Sequence, residues 1–301
     1  MTTFLQLTVQ GLALGCIYAL IALGFTVVLM AGVINFAQGS FMLVGAYLVS
    51  WMVLQMQVPF LAALPIAVAG LALIGILFER LVLRRLTIRP VFVVIMLTIS
   101  LDIFMRVLAV LVFGYEPRAN GDPWELSGFT VGGVRVNWAD IWTLITTLAL
   151  LVIFFIFFKF SKYGIAMRAA AIDSEAAAIV GISLSQVYVI TWIITGLVAT
   201  LGGVFLAASP RVLDANLGFV AFRAFPAIIL GGLGSTVGAV VGGLILGLVE
   251  VLASGYIGTA HNQYLGFLGN NFYTIASYIV LLLVLLLRPY GLFGKKEAER
   301  V

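Results

Sequence analysis

The sequence predicts an all-α polytopic membrane protein with about eight to ten transmembrane helices, some of them broken or re-entrant. Three observations lead there. Composition is 63% hydrophobic and only 9% charged, with mean hydropathy +1.21, whereas a soluble domain is about 25% charged. The first 78 residues carry no Asp, Glu, Lys or Arg, and Glu79 is the first charge. The apolar stretches are continuous over about 20 residues, the length that crosses a bilayer, and they do not alternate as barrel strands do.

These stretches fall at about 7–30, 39–57, 60–79, 91–113, 141–158, 187–208, 224–253 and 272–287. The N-terminus lacks a basic n-region, so the first stretch reads as a retained span. The seventh is too long for one ordinary span and is interrupted at Gly231, Gly232, Gly234 and Ser235, which predicts a short half-helix, a turn and a full span. The segment 31–39, with Asn35, Gln38 and Gly39, predicts a second break.

Charge orients the loops. Net charge is +4, and 11 of the 16 basic residues cluster in three places. These are Arg80, Arg84, Arg85 and Arg89; then Lys159, Lys162 and Arg168; then Arg288, Lys295, Lys296 and Arg300. The positive-inside rule makes the loops around 80–90 and 159–186 and the tail 288–301 cytoplasmic, and the mixed-charge loop 114–140 external. The basic balance therefore needs no nucleic acid to explain it. With 209–222 external, an odd number of crossings must follow. Either 224–253 enters and returns, which the glycine break favours, or 254–271 hides a crossing. Three crossings before Arg80 place the N-terminus outside.

The polar residues exclude most chemistry. Cys16 is the single cysteine and His261 the single histidine, so no disulfide framework, metal site or cofactor site is expected. No Ser/His/Asp arrangement supports an enzyme. Asp102 and Arg106 lie four apart in the fourth stretch, on one helical face, which reads as a structural ion pair or a solute-contacting one. Glu250 near a span end is covered by snorkelling or an interhelical hydrogen bond. Gly234, Gly238 and Gly242, with Gly243 and Gly247, repeat at spacings that let helices approach closely. The breaks at Asn35–Gly39 and Gly231–Ser235 read as packing features or as a translocation path, and Asn216 in the second external loop is a candidate of the same kind.

The loop 162–183 holds Arg168, Asp173, Glu175, an alanine run and Gly181. Ser174 can cap, the acids suit a helix N-terminus, and Gly181 suits its end. A short cytoplasmic helix with a shallow surface is predicted, either a docking element or a plain connector. Glu175-Ala176-Ala177 followed by Gly181 resembles the EAA loop of binding-protein-dependent ABC importer permeases. The whole chain resembles the branched-chain amino-acid permease family of the LivH type. The matches include Gly11–Gly24, Ile34–Gly39, Arg168 to Gly181, Gly231 to Gly243, and Arg288–Gly294. It lacks the Ile-x-Leu-Pro continuation of the longer EAA pattern, as is usual in this branch, and Val237 stands where the family often has proline.

The resemblance implies an ABC importer permease fold occupying 1–301 as one transmembrane domain. It implies a multi-pass protein of the bacterial inner membrane that imports branched-chain amino acids. The expected partners are cytoplasmic ABC ATPase subunits docked on the EAA-type loop, a second permease subunit (a related chain or a second copy), and a periplasmic solute-binding protein. Relatives carry other amino acids, amides and urea. This chain has no phosphate-binding Gly-x-x-x-x-Gly-Lys-Ser/Thr loop, so ATP hydrolysis falls to another chain. The alternative is a stand-alone secondary transporter or channel, with ion coupling through Asp102 or Glu250.

Overall fold

The computed structural model describes residues 2–30, 34–85, 91–208, 211–232, 234–257 and 272–294. Arg89, His261, Lys295, Lys296 and Arg300 lie outside the described residues, as does most of the stretch 254–271. Twelve α-helices and one hairpin are present among the described residues. The helices are α1 (Thr2–Met30), α2 (Gln38–Leu54), α3 (Phe60–Leu81), α4 (Val91–Phe113), α5 (Trp138–Phe160), α6 (Lys162–Ile172), α7 (Ser174–Ile179), α8 (Leu184–Ala207), α9 (Val220–Arg223), α10 (Phe225–Gly231), α11 (Thr236–Tyr256) and α12 (Phe272–Leu287).

Six helical runs are long and apolar enough to cross a membrane, and three shorter apolar runs join them: Gln38–Leu54, Leu217–Gly231 and Ile275–Leu287. The surfaces of α4, α5 and α12 expose Ile103, Leu111, Leu148, Ile153, Leu282 and Leu286. A water-soluble fold would bury side chains of this size, whereas hydrocarbon accommodates them.

The chain forms two compact units. One comprises Val27–Glu125 and Leu148–Ala221. In it α2, α3, α4 and α8 pack through small residues. A side chain at Gly203 would meet the Met42 carbonyl oxygen at 2.2 Å, and one at Gly75 would meet the Trp192 ring at 2.4 Å. Trp192 is buried and stacks on Phe41 with ring centroids 5.6 Å apart. The small residues let backbone and ring approach, so van der Waals contact replaces the hydrophobic drive that lipid does not supply. The start of the 114–140 loop is tied down here. Arg118 and Leu213 form a backbone bridge, Ser50 donates to the Ala119 carbonyl, and Asn120 donates to the Val204 carbonyl.

The other unit comprises Met1–Thr26, Leu126–Thr147 and Phe222–Val301. Here α1 and α11 run antiparallel: Gly11 lies against Leu248, Gly15 against Leu244, and Gly243 against Ala19. The break predicted at 231–235 is a tight hairpin. Gly231 packs on Gly238 and Ala227 on Gly242, so α10 and α11 are antiparallel too. Ser235 starts α11, its Oγ accepting the Gly238 N–H at 3.0 Å. The last carbonyls of α10 are satisfied from far along the chain. Leu292 N–H donates to the Leu230 carbonyl and Phe293 N–H to the Gly231 carbonyl. Residues 292–294 therefore lie at the α10–α11 turn, and α11 and α12 form an out-and-back pair. The short apolar run Leu217–Gly231 precedes α11, where a half-helix was expected ahead of the glycine break.

The 114–140 loop also contains an element that the all-helical expectation omits. β1 (Gly128–Val131) pairs antiparallel with β2 (Val134–Asn137). Gly132 and Gly133 have φ of +57° and +82°, the left-handed pair that a two-residue hairpin turn requires. The Gly-Gly dipeptide between alternating Phe129, Val131, Val134 and Val136 was a legible signal for it.

Candidate functional site

The 159–186 loop forms two helices, which corrects the expectation of one. Ser161 caps α6 by accepting the Tyr163 N–H. Asp173 is extended and separates α6 from α7. Its Oδ1 accepts the Ala176 N–H at 2.9 Å, so Asp173 caps α7 in place of Ser174, which is already helical. Gly181 closes α7 with φ +90°. Ile182 N–H donates to the Ala177 carbonyl and Gly181 N–H to the Ala178 carbonyl, a Schellman closure.

The pair of helices is pinned to the helical body. A side chain at Gly164 would strike the Phe157 carbonyl oxygen at 2.3 Å, so α6 lies directly on the end of α5. Met167 and Ala177 are buried, while Ala176 is exposed. Ile172, Ile179 and Val180 project outward at 83%, 85% and 76% accessibility. Arg80, Phe157, Tyr163, Ser185 and Gln186 line an open depression of about 510 Å³, so the ends of α3 and α5 and the starts of α6 and α8 share one side. Glu175 lies within α7, but its side chain is outside the described set.

Replacing Gly181 with valine places a branched residue at positive φ, which costs about 1–2 kcal/mol. A Cβ there meets nothing within 4 Å, so the expected result is a folded permease with a loosened α7. Limited proteolysis of the 159–186 loop checks this: cleavage should accelerate while the thermal midpoint of the rest stays within a few degrees.

The break before α2 forms a polar junction. Asn35 Oδ1 accepts the Ala37 N–H, and Thr98 of α4 accepts from Phe36 N–H. Asp102 Oδ1 accepts the Ser40 N–H at 3.1 Å, while its Oδ2 pairs with Arg106 at 2.9 Å. An intramembrane carboxylate thus caps the first turn of α2, where the orphan N–H groups and the helix dipole favour a negative charge. Arg106 lies 3.9 Å over the Phe219 ring. A Cβ on Gly39 would sit 2.2 Å from the Gly218 carbonyl oxygen. Gly39, Asp102, Arg106 and the turn following Asn216 therefore meet, although they are far apart in sequence. Asn35 and Gln38 are buried there, and Asn216 is exposed.

A third arrangement was missed by the sequence reading. Glu250 of α11 accepts from Tyr18 of α1 at 2.6 Å and from Arg223 of α9 at 3.1 Å. Tyr18 and Glu250 start several residues apart along the α1–α11 seam. Helical side chains lean toward their own N-terminus, so on antiparallel helices these two lean toward each other and meet. Glu250 itself was legible as needing an interhelical bond. Its partners were not, because sequence separation hides contacts between spans.

Comparison with known proteins decides the family. The profile of the family described as "Branched-chain amino acid transport system / permease component" matches residues 7–288. The chain is 34% identical to the high-affinity branched-chain amino acid transport system permease protein LivH of Escherichia coli K12, over 99% of this chain and 98% of that one. This chain belongs to the branched-chain amino-acid ABC permease family. It is also 30% identical to the permease protein BraD of Pseudomonas aeruginosa, over 99% of this chain and 98% of that one. A protein of Methanocaldococcus jannaschii described as a probable LivH permease shares 28% identity over 91% of this chain and 88% of its own length.

In this permease the residues singled out from sequence form three separate groups. Arg168, Asp173, Glu175, Ala176, Ala177 and Gly181 belong to the α6–α7 loop. Asn35, Gln38, Gly39, Asp102 and Arg106 gather at the α2 N-terminus, with Asn216 just before the turn that packs on Gly39. Gly231, Gly232, Gly234 and Ser235 make the α10–α11 hairpin, where Gly232 also packs against Gly294.

Proposed function

We propose that this multi-pass permease is the membrane-spanning subunit of an ATP-driven, binding-protein-dependent importer of branched-chain amino acids. The observation that carries the reading is full-length similarity to permeases named for that transport, from end to end of both chains. In this reading the whole chain acts as one permease domain in the bacterial inner membrane, with its C-terminus cytoplasmic and its N-terminus external. A second permease subunit completes the path, and a periplasmic binding protein delivers the solute. Two cytoplasmic ATPase subunits dock on α6 and α7. The outward-facing Ile172, Ile179 and Val180 support that docking, because exposed large apolar groups outside the bilayer mark protein contact sites. Each break, Asn35–Gly39 in one unit and Gly231–Ser235 in the other, is a candidate to line a solute path within its own unit, since interrupted helices at membrane depth are tolerated where they are buried in protein or line a cavity.

The test is to purify the permease with its partners and measure which pairing of solute and binding protein stimulates ATP hydrolysis. Stimulation by leucine, isoleucine or valine is expected. Uptake by this chain alone in liposomes, driven by an ion gradient, would overturn the reading. Glu175→Lys should abolish co-purification of the ATPase while leaving the permease folded in detergent, and unchanged assembly would remove the docking role from α7.

A further inference from the structure

The Tyr18–Glu250–Arg223 cluster is not absorbed by the packing of the helices or by the coupling loop. Its members share one compact unit. Glu250 is buried at 5% accessibility, and both of its oxygens are occupied, one by Tyr18 and one by Arg223. The anion is therefore spent inside the protein. The cation is only partly spent. Arg223 has five N–H donors to place; one goes to Glu250 from Nη1, and Tyr273 and Tyr18 also interact with the guanidinium. Its guanidinium lies 5.7 Å from the Tyr273 ring, and 36% of its side chain remains accessible against 6% for Glu250. The carboxylate is thus buried and held, while the guanidinium stays partly accessible.

Position adds a second, independent observation. Arg223 ends α9, and the single residue Ala224, itself in helical conformation, separates it from α10 within the short apolar run Leu217–Gly231. Tyr18, whose partner Glu250 holds Arg223, lies near the middle of the 29-residue α1, well away from either end. A charged side chain within an apolar helical run faces protein or a water-filled path. A guanidinium held on two sides retains a fork that matches a carboxylate.

We propose that Arg223 is a solute-contacting residue that takes the carboxylate of an amino acid during its passage, with Glu250 and Tyr18 as positioning residues. The proposal rests on the importer reading and narrows it: the passing solute carries a carboxylate, which an uncharged amide or urea lacks.

The experiment reconstitutes the complete importer in proteoliposomes and measures leucine uptake and ATP hydrolysis in parallel. Arg223→Gln should slow uptake about 10- to 100-fold, the loss of one charge-assisted hydrogen bond, while hydrolysis stimulated by the binding protein persists. Arg223→Lys should recover part of the uptake, because the charge remains and the fork does not. The double variant Arg223→Gln with Glu250→Gln removes both charges and leaves no unpaired buried ion, so it should assemble normally and still fail to move leucine. Wild-type uptake in the double variant would overturn the proposal and leave a structural ion pair. A parallel fall of uptake and hydrolysis in an assembled double variant would overturn it as well. Leucine uptake by the wild-type complex tests the importer reading separately.

Discussion

Replacing Asp102 with alanine should cost the permease about 3–5 kcal/mol, the usual penalty for leaving one member of a buried ion pair without its partner. Two losses combine at this position. Arg106 keeps its charge while its side chain stays largely buried, at 15% accessibility. Ser40 N–H loses its acceptor in the first turn of α2, which alone is worth about 1 kcal/mol for a capping interaction. Since net stabilities are about 5–15 kcal/mol, the variant should show a large drop in its unfolding midpoint in detergent. Asp102→Asn should lose less, because an amide oxygen still accepts from Ser40. The double variant Asp102→Ala with Arg106→Ala should be more stable than the sum of the single losses implies, because it removes the orphaned charge. Single and double variants that unfold at the wild-type midpoint would show that the pair does not hold the α2 junction.

The second large effect is expected at the α1–α11 seam. A Cβ on Gly247 would lie 2.2 Å from the Gly15 backbone nitrogen and 2.3 Å from its Cα. Those neighbours are backbone, so no side-chain rotation relieves the clash, and leucine there must separate the helices. The expected cost exceeds about 4 kcal/mol, beyond the ordinary range of single substitutions. Separation would also pull Tyr18 away from Glu250. The outcome to look for is loss of monodisperse protein on size exclusion after extraction. Gly234→Ala is the matched control. It repeats the same glycine spacing in sequence, but its Cβ meets nothing within 4 Å and only its φ of +80° is strained. The control should lose about 1–2 kcal/mol and remain monodisperse.

That contrast shows how far the glycine pattern could be read. The spacing of Gly234, Gly238, Gly242, Gly243 and Gly247 indicated close helix approach. It did not indicate that Gly238 and Gly242 face α10, that Gly243 and Gly247 face α1, and that Gly234 faces open space in a turn. The pattern reports the size of the residue needed and carries no label for the partner. The Arg288–Gly294 motif behaves in the same way. Its residues were visible as a match, and only the fold shows why Gly291 and Gly294 are small: they pack on the α10 terminus, whose carbonyls Leu292 and Phe293 satisfy.

The membrane class and the long apolar helices followed from the sequence by itself, and the side assigned to each loop rests on the sequence alone. They depend on local properties: the length of an apolar run against bilayer thickness, the placement of Arg and Lys, and a glycine where a helix must end. Gly181 was legible for that reason, as the residue that ends α7 at positive φ. The α2 junction and the Tyr18–Glu250–Arg223 cluster were decided only by the tertiary structure. A buried charge such as Asp102 or Glu250 announces that it needs a partner. Which partner it finds depends on how the helices are staggered and which faces they turn to one another, and no local stretch of the chain encodes that.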